Sequence, residues 1–364
     1  MPPENCPVSV TPARDIPTRG SAWGLEPSGL YLLDVAGPNP LDAIPFMAAD
    51  LDRVEQELRT SATAADPYLT EIASHLIAAG GKRVRPGFCL AAAATAMSDD
   101  QPSTHAAVLG ATAVELVHLG SLYHDDVMDE AVVRRQVDSV NARWDNLKAI
   151  LAGDFLLARA SELAASLGVE VAALLAATIG RLCEGQVLEL KHSFDLTRSE
   201  DQYLRAINGK TASLLGSSCR IGGIVAGLDG EQTDALTAFG TSYGMAFQLV
   251  DDVLDLVATE ADLGKPAGHD LEEGVYTLPV IVALASGHGE DLRALLGGPL
   301  DTASRDKAID IVRDSDGIPT TIERARTFAA SANDSLDALP DSPGVRGLRA
   351  AAAYLLAQVE LAAA

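Results

Sequence analysis

Residues 118–135 read HLGSLYHDDVMDEAVVRR and place three aspartates at the end of an apolar run with helical periodicity. On a helix, Asp125 and Asp129 are four residues apart and project from one face, with Asp126 beside them. Two carboxylates held so close on an apolar wall repel each other unless a cation joins them. Mg2+ accepts one or two carboxylates and completes its coordination with water and phosphate oxygens. This stretch therefore predicts a helix that ends in a divalent-metal site.

A second stretch, FQLVDDVLD at 247–255, repeats the same aspartate spacing inside another apolar run. It supplies Asp251, Asp252 and Asp255, and the apolar flanks of both copies argue against two solvated acidic faces. The arginine pair at 134–135 suits planar anions that carry several oxygens. Two acidic helices and an arginine pair together predict a diphosphate held through metal ions.

Basic residues concentrate in the segment GGKRVRP at 80–86. A preceding helix is predicted to end at the glycine pair, and a new helix to begin near Pro86, since proline favours the first helical turn. Lys82, Arg83 and Arg85 then lie at a helix N-terminus, where free backbone N–H groups favour anions. We interpret the segment as a phosphate site, with a solvated basic turn as the alternative.

Two glycine-containing segments carry further lysines. GKT at 209–211 places Lys210 and Thr211 early in a helix, where both can donate to phosphate oxygens, although the glycine-rich lead-in of a P-loop is missing. The segment GKPAGHDL at 264–271 contains Lys265, and its glycines predict a loop that closes over the site.

His118 lies two helical turns before Asp125 and near the same face. A buried core histidine is the simplest interpretation of this position taken alone. Glu115 and His118 also have the Glu-x-x-His spacing of a di-iron site, but such a site needs a second motif, and the sequence has none.

Composition favours helices, because hydrophobic residues make up 48% of the 364 residues and aromatic residues only 4%. With 51 acidic against 27 basic residues, binding to nucleic acid or anionic lipid is not expected. Cys89, Cys183 and Cys219 lie in apolar helical contexts and are predicted to be buried. The scattered cysteines, the lack of an apolar run long enough for a membrane span and the lack of a signal peptide favour the cytoplasm.

Residues 1–45 are rich in Pro, Gly, Ser and Thr and are predicted to be a disordered extension, with a possible docking stretch over 23–32. Residues 46–364 keep helical periodicity without strand patterns or repeats, which predicts one all-α domain. Helices are predicted at 66–79, 103–129, 139–167, 169–192, 199–226, 231–258, 274–285, 302–314, 317–337 and 343–362.

The ordered motifs GGKRVRP, HDDVMDE with RR, GKT, FQLVDDVLD and GKPAGHDL make the chain resemble the trans-type isoprenyl (polyprenyl) diphosphate synthases from about residue 51 onward. The resemblance implies a single large helical bundle of the isoprenoid synthase type with a central cavity. It implies a cytoplasmic, homodimeric prenyltransferase that condenses isopentenyl diphosphate with an allylic diphosphate to all-trans polyprenyl diphosphate. Mg2+, as three ions, is the implied cofactor, and Mn2+ is expected to substitute for it.

The resemblance also assigns residue roles. The implied metal ligands are Asp125, Asp129 and Asp251. The catalytic group adds Asp126, Asp252, Lys210 and Lys265. Isopentenyl diphosphate is expected at Lys82, Arg85, His118 and Arg135, with Arg134 as a further substrate-binding residue. The allylic diphosphate is expected at Lys210, Thr211, Gln248 and Lys265. Gln136 follows the arginine pair where the family usually has glycine, and no basic tail ends the chain.

Product length is expected to depend on Gly120 and Ser121, which lie about one helical turn below Asp125. In short-chain family members an aromatic ring typically closes this level. Two small residues here predict a medium- to long-chain product of about C30 to C50, as in quinone side chains, and Gly120→Phe is expected to shorten it. The alternative is that the small residues only allow close helix packing.

Other functions are alternatives to this one. Within the family, the alternatives are a farnesyl or geranylgeranyl diphosphate synthase and a partner subunit of a heteromeric synthase. A class I terpene cyclase would need a different second metal motif and more aromatic residues. A purely structural bundle does not account for two acidic clusters and the basic segments.

Overall fold

A computed structural model describes residues 40–97, 101–257 and 267–362, which are almost entirely helical. The first helices are α1 (Met47–Ser61), α2 (Pro67–Ala78), α3 (Val84–Ala93), α4 (His105–Met128), α5 (Val140–Arg143), α6 (Asn146–Ser166) and α7 (Val169–Lys191). They are followed by α8 (Glu200–Ile207), a π-helical turn (Asn208–Ala212), α9 (Ser213–Val225) and α10 (Gly230–Val257). The last are α11 (His269–Glu272), α12 (Leu278–Leu284), α13 (Gly289–Arg293), α14 (Thr302–Arg313), α15 (Gly317–Ser335) and α16 (Pro343–Ala362).

Local chemistry sets several helix starts. The Asp66 carboxylate accepts the Tyr68 N–H at 2.8 Å just before α2, and Thr104 caps α4 through the Ala107 N–H. Ser199 forms a capping box with Gln202 at the start of α8. These side chains satisfy backbone donors that have no partner inside the helix.

The core is built around α4 and α10, the two helices that carry the aspartate clusters. α4 packs against α1, α3, α6 and α9, whereas α10 packs against α9, α15 and α16. Helix α9 contacts both, and many of the buried residues are alanines, such as Ala91, Ala111 and Ala113. Small side chains let the helices approach closely, so the prediction of an all-α bundle is confirmed.

Some details of the secondary structure differ from the sequence prediction. The helix predicted over 199–226 is interrupted by the π-helical turn, and a short antiparallel hairpin follows α4 where no strand was predicted. Its strands are β1 (Val133–Arg134) and β2 (Val137–Asp138). Strands of two residues are too short to give an alternating pattern, which is why the sequence did not reveal them.

The predicted start of the folded domain at residue 46 is too late. Pro40–Ala43 form a 3₁₀ turn that packs against α16, and Leu41 and Ile44 belong to the buried core. The predictions for residues 1–39 lie outside the described residues, including the docking stretch and the disorder.

Two described helices are long and apolar enough to cross a membrane by length and composition, both with mean hydropathy 1.4. In α4 the test window is 78% buried inside the protein, as a soluble core helix would be, but in α7 it is only 28% buried. Neither helix is an uninterrupted apolar run in the sequence, because each contains isolated charges such as Glu115 and Glu170. The outer face of α7 also leaves Cys183 exposed, so its predicted burial is wrong, whereas Cys89 and Cys219 are buried.

Candidate active site

A cavity of about 450 Å³ opens between α4, α7, α8, α10, the β1–β2 hairpin and the α11 segment. Both aspartate clusters reach it, which fulfils the prediction that α4 and α10 share one cavity. The predicted site residues that line it are Arg85, His118, Ser121, Asp125, Asp129, Arg134, Arg135, Lys210, Thr211, Gln248, Asp251 and Asp252.

In the first aspartate cluster, two side chains line the cavity and one is buried in the protein. Asp125 and Asp129 line the cavity, where burial raises the pKa of Asp125 and, with Glu273 nearby, raises that of Asp129 to about 6. Asp126 is fully buried, and its Oδ1 accepts two bonds of 2.7 Å from Nε and Nη2 of Arg134. Asp126 therefore binds the Arg134 guanidinium and does not line the cavity.

The second cluster differs from the first, because all three of its aspartates line the cavity. Asp251 and Asp252 both line the cavity, but the Asp252 carboxylate accepts a 2.9 Å bond from Gln248 Nε2 and another from the Tyr203 hydroxyl. Burial raises the pKa of Asp252 to about 7, against the effect of these two donors. The backbone carbonyl of Asp255 accepts the Gly268 N–H at 2.8 Å, so Asp255 anchors the segment that leads into α11.

Basic side chains gather around Glu115, beside the cavity. This glutamate is buried and accepts a 3.1 Å bond from Arg83 Nη1, with Arg135 Nη2 at 3.9 Å. The Nε2 atom of His118 has no hydrogen-bond partner in the described chain, and burial together with Arg85 holds the pKa of His118 well below its ordinary value. A neutral histidine beside buried guanidinium groups is suited to bind an anion.

The hairpin turn directs Arg135 into this basic group. Arg135 and Gln136 form a two-residue turn with φ of 53° and 61°, the left-handed region that the corresponding turn type requires at both positions. The Arg135 guanidinium then donates to the carbonyls of Leu76 and Gly80. The family's usual glycine after the arginine pair is replaced by Gln136 without loss of the turn.

Lys210 enters the cavity from the π-helical turn. Gly185 on α7 and Gly209 cross so closely that a Cβ at Gly209 would lie 2.8 Å from the Arg181 carbonyl oxygen, and a Cβ at Gly185 would collide with the Lys210 backbone. The Lys210 ammonium pairs with Glu189. Burial opposes the charge, but Glu189, Asp125 and Asp129 together outweigh burial, and the pKa of Lys210 is raised.

Some predicted site residues do not line the cavity, namely Lys82, Asp126 and Gly120. Lys265 lies outside the described residues. A Cβ on Gly120 would lie 3.0 Å from Leu157 Cγ and 3.1 Å from the Gly153 carbonyl oxygen, so Gly120 faces α6. The chain-length role of Gly120 and Ser121 stays a prediction.

Sequence reasoning missed three residues that shape the site. Glu189 pairs with Lys210, Tyr203 bonds Asp252, and Glu115 holds the arginine group. The partners of Glu189 and Tyr203 are 21 and 49 residues away along the chain, so no local spacing marks them. Glu115 gave a signal through its spacing to His118, but its partners are arginines.

The donor set fits Mg2+. Among the residues that the structure describes, no three His, Cys, Asp or Glu side chains could hold a metal ion by themselves. Mg2+ commonly takes one or two carboxylates and completes its coordination with water and substrate phosphate, so an open set of carboxylates suits it. Asp125 on α4, Asp129 directly after α4 and Asp251 on α10 are the residues that would hold it.

Residues 66–312 match the family model of the polyprenyl synthetases, which covers the segments that build this cavity. The chain belongs to the polyprenyl synthetase family. It is therefore a prenyltransferase, and the family recognised from the motifs is confirmed.

Relatives in this family are similar over almost their whole length. Nonaprenyl diphosphate synthase of Mycobacterium tuberculosis is 41% identical over 330 residues, covering 89% of this chain and 97% of that protein. Heptaprenyl diphosphate synthase component 2 of Geobacillus stearothermophilus is 38% identical, covering 85% and 96%. A geranylgeranyl pyrophosphate synthase of Corynebacterium glutamicum, solved with calcium and isoprenyl diphosphate, is 39% identical with a TM-score of 0.77, covering 89% and 98%.

Proposed function

We propose that this polyprenyl synthetase condenses isopentenyl diphosphate with an allylic diphosphate, with Mg2+, to an all-trans product of about C30 to C50. One observation carries the proposal: a single cavity brings together two acidic helices, a group of arginines and Lys210. Two diphosphates can bind there without sharing a cation.

The two substrates are assigned to two groups of donors in the cavity. Arg85, His118 and Arg135 form the subsite for isopentenyl diphosphate, because both arginines lie close enough to His118 to lower its pKa. Lys210 and Thr211 form the allylic subsite, since the Lys210 ammonium is close enough to Asp125 to lower its pKa. An anion at Lys210 would have to displace Glu189.

The reaction begins when the C–O bond between the allylic group and its diphosphate breaks, which leaves an allyl cation. Lys210 donates to the departing oxygens, where negative charge develops. When bound, Mg2+ supplies Lewis-acid stabilisation of that charge. The double bond of isopentenyl diphosphate, held by Arg85 and Arg135, attacks the cation and forms the new C–C bond. Loss of a proton, taken up by the released diphosphate, restores a double bond.

The growing chain is expected to extend past Ser121, which lines the cavity one turn from Asp125. A long product agrees with the relatives named nonaprenyl and heptaprenyl diphosphate synthase. A geranylgeranyl product is the alternative favoured by the Corynebacterium glutamicum relative. Activity only with a second chain is the other alternative, since one relative is named as a component.

A homodimer is proposed for the quaternary structure, in the cytoplasm. The start of α6 and the end of α7 leave large apolar side chains exposed: Leu147 at 67%, Leu151 at 56%, Val187 at 62% and Leu190 at 51%. Helices α6 and α7 pack against each other and are joined by a short turn, so the start of α6 and the end of α7 lie side by side. A second copy would cover this face, and a fully active monomer in sedimentation at micromolar concentration would refute the proposal.

The function is tested by incubating the purified chain with isopentenyl diphosphate and farnesyl diphosphate, and separating products by chain length. Activity should need Mg2+ or Mn2+ and disappear in excess chelator. Asp125→Ala and Asp251→Ala should each remove most turnover, because they weaken charge stabilisation in the transition state. Glu323→Ala, on the exposed face of α15, is the matched acidic control. No product from the chain alone, with turnover after adding a partner, would favour the heteromeric alternative.

A further inference from the structure

Tyr203 is a buried tyrosine whose hydroxyl meets the second aspartate cluster. It lies on α8, is 1% exposed, and donates to Asp252 Oδ2. Burial and Asp252 raise the pKa of Tyr203 far above its ordinary value, so the phenol keeps its proton and remains a donor.

Both oxygens of Asp252 are thereby bound by the protein. Oδ1 accepts Gln248 Nε2 at 2.9 Å, while Oδ2 accepts Tyr203. Gln248 in turn accepts the Thr211 hydroxyl at 2.8 Å through Oε1. A continuous chain of hydrogen bonds therefore joins α8, α10 and the π-helical turn that carries Lys210.

Arg198 supports Tyr203 from the other side. Its guanidinium lies 5.4 Å from the centre of the Tyr203 ring, and its Nη1 donates to the Tyr276 carbonyl at 3.1 Å. The side chain is buried, and its Nε and Nη2 atoms have no hydrogen-bond partner in the described chain. A cation over the ring face holds the ring where its hydroxyl reaches Asp252.

We infer that Tyr203 is a positioning residue for the allylic diphosphate subsite, acting through Asp252 and Gln248 on Thr211 and Lys210. The inference rests on the proposed function only for the name of the substrate. Without Tyr203, one oxygen of a buried carboxylate loses its donor, and the carboxylate can rotate and release Gln248. The bonds of Arg83 to Glu55 and Glu115 lie outside this network, so the isopentenyl subsite should be unaffected.

The test compares Tyr203→Phe with Tyr276→Phe. Tyr276 is equally buried, but its hydroxyl accepts the Gly297 N–H outside the cavity. Steady-state kinetics should give an apparent KM for farnesyl diphosphate about tenfold higher in Tyr203→Phe, the loss expected for one charge-assisted hydrogen bond. The KM for isopentenyl diphosphate should stay within about twofold, and Tyr276→Phe should leave both values unchanged.

Binding of inorganic diphosphate with Mg2+, measured by calorimetry, separates this inference from the proposed function. Its Kd should also rise about tenfold in Tyr203→Phe, even if the wild-type chain makes no prenyl product. Adding Tyr203→Phe to Asp252→Ala should cost little more than Asp252→Ala alone, because the bond between Tyr203 and Asp252 is already lost in the single variant. The inference would be overturned if the losses of the two single variants multiplied in the double variant, or if Tyr203→Phe raised the KM of both substrates equally.

Arg198→Met provides the second variant should Tyr203→Phe fail to fold. It removes the cation but keeps the bulk against the ring, and should raise the KM for farnesyl diphosphate by about twofold to fivefold. The KM for isopentenyl diphosphate should not change. An unchanged farnesyl diphosphate KM in Arg198→Met would contradict the positioning role.

Discussion

Asp126→Ala is expected to lower the free energy of unfolding by about 3–5 kcal/mol, although Asp126 belongs to the first aspartate motif. The reason is its partner. Asp126 is 0% exposed and the Arg134 side chain 7%, and two bonds of 2.7 Å join them. Removing the carboxylate takes away both bonds and the counter-charge that Asp126 supplies to the buried guanidinium.

Two related variants determine how the effect arises. Asp126→Asn keeps an acceptor oxygen for Arg134 and loses only the charge, so a smaller loss of about 1.5–3 kcal/mol is expected. Arg134→Met combined with Asp126→Ala removes both charges and should recover most of the stability lost in the single variant.

The measurement is urea denaturation of the metal-free protein followed by the helical circular-dichroism signal. Glu323→Ala breaks an exposed pair on α15 and is the control, with no measurable shift in midpoint expected. A loss below about 1 kcal/mol in Asp126→Ala would refute the reasoning, because it would mean that Arg134 does not depend on this carboxylate.

Three further results are expected. Ser121→Phe should shorten the product because it narrows the cavity, and an unchanged product length would refute this expectation. Gly120→Ala should instead lower the free energy of unfolding by about 1–3 kcal/mol, because the added methyl group would contact α6. Lys210→Ala should raise the KM for the allylic substrate by about tenfold to hundredfold, and Arg85→Ala should raise the KM for isopentenyl diphosphate by a similar factor. Equal effects of each variant on both substrates would show that the two-site assignment is wrong. The metal-free protein should lose stability as the pH rises from about 4 to 7. The pKa of Asp252 is raised to about 7 in the folded state, so folding is coupled to proton binding in this range. Urea midpoints that rise with pH would contradict this prediction.

The helices and the shared cavity could be predicted because they depend on periodicity. Apolar residues repeat at helical spacing through α4 and α10, and the aspartate spacing places two side chains on one face of each helix. Facing acidic groups then require a cation between them, which fixes the relation of the two helices without any knowledge of their packing.

Side-chain direction could not be predicted to the same accuracy. Adjacent residues on a helix point about 100° apart, so Asp125 reaches the cavity while Asp126 turns to Arg134. The same rotation separates Ser121, which lines the cavity, from Gly120, which meets α6. Choosing between such neighbours requires the positions of the surrounding helices.

The turn at Arg135 and Gln136 has a consequence for how this protein can change. Non-glycine residues in the left-handed region cost about 1–2 kcal/mol each, and here two stand in succession. Only Arg135 serves the cavity, so Gln136→Gly offers a gain in stability at a position outside the chemistry. A variant with that gain in stability could tolerate more destabilising substitutions in the cavity wall. Stabilising this turn would therefore make substitutions that change the product length easier to accept.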